Sequence, residues 1–150
     1  MAAMSSTPPD FPSQLIHQVR TAAAARTPLR IRGGDTKAFY GEPVTGEVLS
    51  TTGWRGIVSH EPSELVVTVR AGTPLAELEA ALAEAGQCLP FDPPHCGPAS
   101  TIGGVVAAGL AGPARATVGG VRDFVLGLQF INGRGEWLTF GGQVMKNVAG

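Results

Sequence analysis

The chain has 150 residues, a formal net charge of -1 at pH 7 and 43% hydrophobic residues. A chain of this length can bury a substantial core. Its charge balance removes the electrostatic case for a nucleic-acid partner, because neutralising phosphates requires a surplus of Lys and Arg. The 21 Gly and 12 Pro residues alternate with apolar runs, which indicates a folded domain with many tight turns.

The sequence indicates neither a metal site nor a membrane segment. Cys88 and Cys96 have no second cysteine pair, and their spacing fits neither a disulfide framework nor a zinc site. Residues 1–10 are predicted to be flexible, and they lack the charged start and apolar stretch of a signal peptide. The apolar run at 105–111 is too short to span a bilayer. The expected location is the cytoplasm, with any attachment to the inner membrane made through partner proteins.

The first half of the chain alternates between helix and strand patterns. Apolar residues recur at helical spacing over 11–26, which predicts an amphipathic helix. Short strands are predicted over 29–32, 47–50 and 57–59. The β-branched run at 65–70 has the length and composition of another strand.

A second helix follows that strand. Thr73 is its predicted N-cap, Pro74 its first helical position and Gly86 its C-terminal stop. Leucines line one face of this helix. Residues 90–98 form a Pro-rich loop without periodicity.

The end of the chain predicts a hairpin. Strands over 124–131 and 136–140 flank Asn132-Gly133-Arg134-Gly135, where Asn and Gly tolerate the positive φ that a tight turn demands. Neither an internal repeat nor a linker is visible. Residues 11–150 are therefore predicted to form one domain of the α+β class.

Two glycine-rich loops are the candidates for chemistry. The first follows a strand and reads Arg32-Gly33-Gly34-Asp35-Thr36-Lys37. Successive glycines let backbone N–H groups converge on an anion, and the basic side chains offset phosphate charge. The spacing is neither a Walker loop nor a GxGxxG fingerprint. A plain β-turn is the competing interpretation.

The second loop opens a short helix of small residues and reads Pro98-Ala99-Ser100-Thr101-Ile102-Gly103-Gly104. Ser100 or Thr101 is expected to cap the helix and leave free N–H groups directed at an anion. A tightly packed core helix is the competing interpretation. Together, two such loops fit a dinucleotide whose pyrophosphate lies between them, although their separation does not fit the βαβ unit of a Rossmann fold.

The order of these loops resembles the FAD-binding domain of the vanillyl-alcohol oxidase superfamily, also called the PCMH type. Two further segments add to the resemblance, Gly119-Gly120-Val121-Arg122-Asp123-Phe124-Val125-Leu126-Gly127 and Val144-Met145-Lys146-Asn147-Val148-Ala149-Gly150. Within the superfamily the sequence resembles the FAD-binding subunits of bacterial glycolate oxidases. The resemblance implies two small α+β subdomains with FAD between them, and a domain that is truncated at its C-terminus.

The resemblance also implies where FAD would bind. The first loop, from Arg32 to Lys37, would wrap the pyrophosphate, and Arg122-Asp123 would start the strand after the second loop as a structural pair. The second loop would hold the phosphates and the ribityl chain through Ser100, Thr101, Gly103 and Gly104. The isoalloxazine would lie near Ala108, Gly109, Ala111 and Gly112.

One departure from the family concerns how the flavin is held. Many relatives carry in the first loop a His that bonds covalently to the flavin, whereas this chain has Asp35 there. A carboxylate cannot make that link, so FAD is expected to be non-covalent. His17, His60 and His95 lie outside this loop and are expected to be ordinary packing or surface residues.

The implied function is an enzyme subunit. A small 2-hydroxy acid, glycolate first among them, would pass hydride to FAD, with a second FAD subunit and an iron–sulfur subunit as partners. A non-catalytic FAD-domain subunit that serves assembly is the alternative, and another branch of the superfamily with a different substrate is a third. No catalytic residue can be named, because the groups that orient substrate are expected beyond residue 150.

Overall fold

The computed structural model describes residues 10–142, in which short strands and helices are interspersed along the chain. The motif over 144–150 and most of the N-terminal segment lie outside these residues. In chain order the elements are α1 (Phe11–Ala25), β1 (Leu29–Arg32), β2 (Glu47–Ser50), β3 (Ile57–Glu61), β4 (Val66–Val69), α2 (Leu75–Glu84), α3 (Ile102–Ala108), α4 (Arg115–Val118), α5 (Val121–Phe124), β5 (Gly127–Ile131) and β6 (Trp137–Gly141).

The strands pair two by two. β1 and β2 are parallel, and the connection between them carries the first glycine-rich loop. β3 pairs with β4 and β5 pairs with β6, both antiparallel. Helices combined with mostly antiparallel strand pairs confirm the α+β prediction.

The predicted elements of the first half are confirmed within one or two residues. α1 ends at Ala25, and its C-cap is Arg26, which has a left-handed φ of 53° and whose N–H donates to the carbonyls of Ala22 and Ala23. β1 and β2 have the predicted bounds. β4 begins at Val66 because Leu65, at φ 55°, closes a 3-10 turn at Pro62–Glu64.

The start of α2 differs from the prediction. Pro74, with φ -57° and ψ 137°, is the N-cap and not the first helical residue. Thr73 does not cap α2, because its hydroxyl oxygen accepts a hydrogen bond from the Gly56 N–H at 2.9 Å. The Leu75 N–H is bonded to the Ser100 carbonyl, which ties the helix start to the second glycine-rich loop. The predicted stop at Gly86 is confirmed by its φ of 69° directly after the C-cap, Ala85.

The main core joins α2 and α3 to the loop between them. Its buried members are Leu75, Phe91, Val105, Ala111 and Val121. Leu75 is fully buried, and burial of a side chain of this size contributes about 1.5–3 kcal/mol. Phe91 comes from the Pro-rich loop and stacks on Phe124 with ring centroids 5.7 Å apart. The loop at 90–98 therefore contributes to the core, although its sequence has no periodicity.

The hairpin is confirmed, with two corrections. Arg122 and Asp123 lie on the short helix α5 and do not start a strand, and β5 begins at Gly127. Asp123 has a structural role there, since its carboxylate accepts from the Gly120 N–H at 2.7 Å. In the turn, Gly135 alone has a positive φ, of 68°, among residues 132–135. Asn132 acts instead through its side-chain oxygen, which accepts from the N–H groups of Arg134 and Glu136.

Over residues 10–142, none of the helices has the length and apolar character that crossing a bilayer requires.

Candidate functional site

The first loop presents a run of backbone donors. It leaves the end of β1 and passes through Asp35, whose φ of 58° is left-handed. Within residues 10–142, no protein group accepts a hydrogen bond from the backbone N–H groups of residues 33–37. Consecutive amides around a left-handed residue form an anion-binding concavity. The loop therefore has the donors that a phosphate needs.

The structure places the second loop directly against the first. A Cβ atom built on Gly34 would overlap the carbonyl oxygen of Ala99, and one built on Gly33 would lie 2.5 Å from the Thr101 hydroxyl oxygen. Only glycine allows the two backbones to approach this closely. The sequence alone did not identify Ala99 as the contact, because nothing in a sequence shows which carbonyl faces a distant loop.

A side-chain hydrogen bond also links the loops. The Lys37 ammonium donates to the hydroxyl oxygen of Ser100 at 3.2 Å. Ser100 is buried, with 1% of its surface exposed. Lys37 is thereby held over the junction of the two loops, with its remaining N–H donors available to an anion.

The N-terminus of α3 does not have the free amides that were expected. Thr101 is its N-cap and accepts from the Gly104 N–H at 3.3 Å, so the predicted cap is confirmed. The N–H of Ile102 donates to Thr73 at 2.9 Å, and that of Gly103 donates to Ala71 at 2.7 Å. These bonds anchor α3 to the turn before α2. The expectation of helix amides directed at an anion is wrong for Ile102 and Gly103. The longer run of backbone N–H groups without a protein acceptor within residues 10–142 is therefore in the first loop.

Three charged side chains form a cluster where β1 leads into the first loop. Arg30 and Arg32 are two residues apart on β1 and therefore project from the same face of the strand. Both pair with Asp35: Arg32 is in direct contact with its carboxylate, and Arg30 lies 3.5 Å away. All three are only partly exposed, at 36% for the arginines and 29% for Asp35. The sequence analysis did not single out Arg30, although the period-2 spacing of Arg30 and Arg32 on a predicted strand is a signal that could have identified it.

The residues expected near the isoalloxazine divide into two groups. Ala111 belongs to the core at 2% exposed, and Gly112, at φ 68°, is packed against Asp92. Their surfaces therefore serve packing. Ala108 and Gly109 end α3, and Gly109 lies at the edge of a groove.

This groove, at the C-terminal end of α3, has a volume of about 370 Å³. Its lining is apolar apart from two arginines and comprises Val106, Gly109, Arg115, Gly120, Val121, Arg122, Val125 and Leu128. Neither Arg115 nor Arg122 has an acidic partner among the residues that the structure describes. The groove can accept a flat apolar group with a negatively charged edge.

The histidines make local contacts. His60 is hydrogen-bonded to Gln87 at 2.9 Å, and His95 to Glu79 at 3.0 Å. That His17, His60 and His95 are ordinary surface or packing residues stays a prediction.

Comparison with known proteins places this chain in a family. A family model described as an FAD binding domain matches residues 9–141. The chain is 56% identical over 141 residues to glycolate oxidase subunit GlcE of Escherichia coli (strain K12). The matched region covers 94% of the chain and 40% of that protein. It is 31% identical over 127 residues to glycolate oxidase subunit GlcD of Bacillus subtilis (strain 168), covering 83% of the chain and 27% of that protein. The chain thus spans less than half the length of either relative.

Solved structures share the fold. One is Phl p 4.0202, a glucose dehydrogenase, with a TM-score of 0.71, 18% identity, and coverage of 88% of this chain and 28% of that one. Another is an alkyldihydroxyacetonephosphate synthase, with a TM-score of 0.66, 20% identity, and coverage of 91% and 25%. At these identities the likeness concerns the fold alone. Since the family model extends over most of the chain, the chain belongs to the PCMH-type FAD-binding domain family, and FAD is its cofactor.

Proposed function

We propose that the chain holds FAD without a covalent bond, with the pyrophosphate at the junction of the two loops. The observation that carries this proposal is the run of five successive N–H groups, residues 33–37, without a protein acceptor in the described part of the chain. Lys37, fixed on Ser100, adds a cation at the same place. Charge-assisted hydrogen bonds from such groups are the strong ones for phosphate oxygens.

The second loop contributes shape more than donors. Ser100, Thr101, Gly103 and Gly104 form the wall against which the first loop rests, and the N–H groups of Gly103 and Gly104 are bonded within the protein. The groove beside Gly109 is the proposed place for the isoalloxazine, because α3 leads from the loop junction to it. Its apolar lining excludes water from one ring face, and Arg115 and Arg122 supply positive charge at its edge.

Non-covalent attachment is argued from Asp35. A carboxylate cannot form the histidyl link to flavin, and this one is already engaged by Arg30 and Arg32. The loop therefore offers a charge-compensated carboxylate at the position where the family resemblance implies a histidine in many members.

We further propose that the whole protein is a subunit of an oxidase or dehydrogenase for 2-hydroxy acids, glycolate first among them. Support comes from the names of the relatives, which are subunits of glycolate oxidase. When bound, FAD accepts the hydride that the substrate loses. Those names also support assembly with at least one other subunit. That this subunit binds FAD is proposed from the family resemblance alone. An iron–sulfur subunit is proposed from the family resemblance alone, and the groups that orient substrate are not assigned to this chain.

The test is a visible absorption spectrum of the complete protein, purified with any subunits that accompany it, before and after acid precipitation. Flavin bands that move entirely into the supernatant are the expected result. Flavin that stays with the precipitate would overturn non-covalent attachment. Bleaching of the bands by glycolate, compared with D-lactate and 2-hydroxyglutarate, then tests the substrate class.

The same spectrum distinguishes an enzyme subunit from a non-catalytic subunit that serves assembly. A folded protein that lacks flavin bands and still binds its partner subunits would favour a non-catalytic assembly subunit. Bands that no 2-hydroxy acid bleaches, in an otherwise intact complex, would point to another substrate within the superfamily.

A further inference from the structure

The first loop contains a carboxylate in a place that should hold an anion. Asp35 is the middle residue of 33–37, whose amides have no protein acceptor within residues 10–142, and its side chain remains 29% exposed. An uncompensated carboxylate there would repel a diphosphate, since like charges several ångströms apart near a protein surface oppose each other. The loop must therefore neutralise Asp35 in order to function as an anion site.

Two arginines supply this neutralisation. Arg30 and Arg32 lie on one face of β1, and both approach the carboxylate of Asp35. Ile31, between them, faces the other way and is 73% exposed. The strand thus delivers two positive charges to one carboxylate through its own periodicity, without help from another element.

The pairing also fixes the backbone. Asp35 has a φ of 58°, a conformation that Asp tolerates better than most residues other than Gly and Asn. Its ion pairs to β1 hold this left-handed turn in place, and the turn sets the direction of the neighbouring amides. Lys37 is directed elsewhere, to Ser100. The arginines are therefore committed to Asp35, and Lys37 is the cation left for the ligand.

We propose that Arg30 and Arg32 are positioning residues that neutralise Asp35, so that the loop accepts the FAD diphosphate through its amides and Lys37. This inference rests on the proposed binding of FAD at this loop. It assigns the arginines an indirect role: they are required because Asp35 is charged, and become dispensable when it is not.

A charge-compensation cycle in the complete protein tests this. FAD affinity is measured for the apoprotein by flavin fluorescence in the variant Arg30→Gln/Arg32→Gln, in Asp35→Asn, and in the triple variant. Asn keeps the side-chain size and the tolerance for left-handed φ. The double variant is expected to bind FAD about ten-fold more weakly, in line with unit charges near a surface. The triple variant is expected to recover most of that loss.

Riboflavin, which has no diphosphate, is the ligand control. Its affinity should be the same in all variants, and the effects on FAD should shrink as NaCl is raised. The variants Arg134→Gln and Glu136→Gln remove an ion pair of the same type on the hairpin turn and should leave FAD affinity unchanged.

Two results would overturn the inference. If the triple variant binds FAD as weakly as the double variant, the arginines contact the ligand directly. If Asp35→Asn alone weakens FAD binding ten-fold, Asp35 contributes more than a charge to be neutralised, and this holds even when the double variant fails to fold. A wild-type protein that binds no flavin would instead refute the proposed function, so the two failures are distinguishable.

Discussion

Close contact between the two loops makes Gly34 the most sensitive position of the candidate site. A Cβ atom there would overlap the backbone oxygen of Ala99, which cannot rotate away. Gly34 does not have a positive φ, so replacement by Ala perturbs the folded state through this overlap and not through backbone strain. The substitution Gly34→Ala must push the loops apart.

The structure supports a graded series. Overpacking of this kind destabilises by about 1–3 kcal/mol, and contact with a fixed backbone atom places Gly34→Ala at the upper end. Gly33→Ala should be milder, because its Cβ meets the Thr101 side chain, which can rotate. That rotation sacrifices the N-cap bond to Gly104, a loss of about 1 kcal/mol. Gly133→Ala meets nothing within 4 Å and is the matched control.

The assay measures FAD affinity and the thermal midpoint of the complete protein for all three variants. If the strain is taken up at the loop junction, about 3 kcal/mol corresponds to a loss of roughly 100-fold in FAD affinity for Gly34→Ala. Gly133→Ala shares the effect of Ala on the unfolded chain and corrects for it. Equal FAD affinity in Gly34→Ala and Gly133→Ala would refute the proposed contact between the loops.

Three further predictions concern elements around the site. Thr101→Ala should lower the free energy of unfolding by about 1 kcal/mol through loss of the α3 N-cap, whereas Thr101→Ser should retain it in denaturant melts. Leu75→Ala should lower it by about 2–5 kcal/mol, because Leu75 is fully buried at the start of α2; a change below 1 kcal/mol would show that the core has been misplaced. The pKa of Glu136 is lowered below 4.5, first by a hydrogen bond from the Asn132 amide. The ionised Glu136 carboxylate should therefore stabilise the hairpin turn above pH 4.5, and this stabilisation should be lost as the pH falls through the lowered pKa. An NMR titration of the turn checks this, and Asn132→Ala should raise that pKa.

Local signals in the sequence predicted the elements well. α1, β1 and β2 lie where periodicity and composition placed them, because their residues carry strong short-range preferences. The start of α2 was misplaced because Thr73 bonds to Gly56, and the Leu75 N–H bonds to Ser100. Competition of this kind between a local cap and a distant partner is invisible in a local pattern.

The candidate site likewise combines features that the sequence predicted with features that depend on distant contacts. The order and composition of the glycine-rich loops sufficed to predict a pyrophosphate site, since only glycine allows such close backbone approach. Which amides remain available was decided by tertiary structure: those of α3 are consumed by Ala71 and Thr73, whereas those of residues 33–37 have no acceptor in the described part of the chain.

By itself, then, the sequence determined the α+β class, the two loops and the absence of a His at position 35. Tertiary structure decided that Gly34 lies against Ala99, that Ala111 packs in the core, and that Asp35 is neutralised from β1. The physical reason is range. Helix periodicity, caps and turns depend on residues a few positions apart, whereas hydrogen-bond satisfaction, burial and charge pairing depend on groups that only the folded chain brings together.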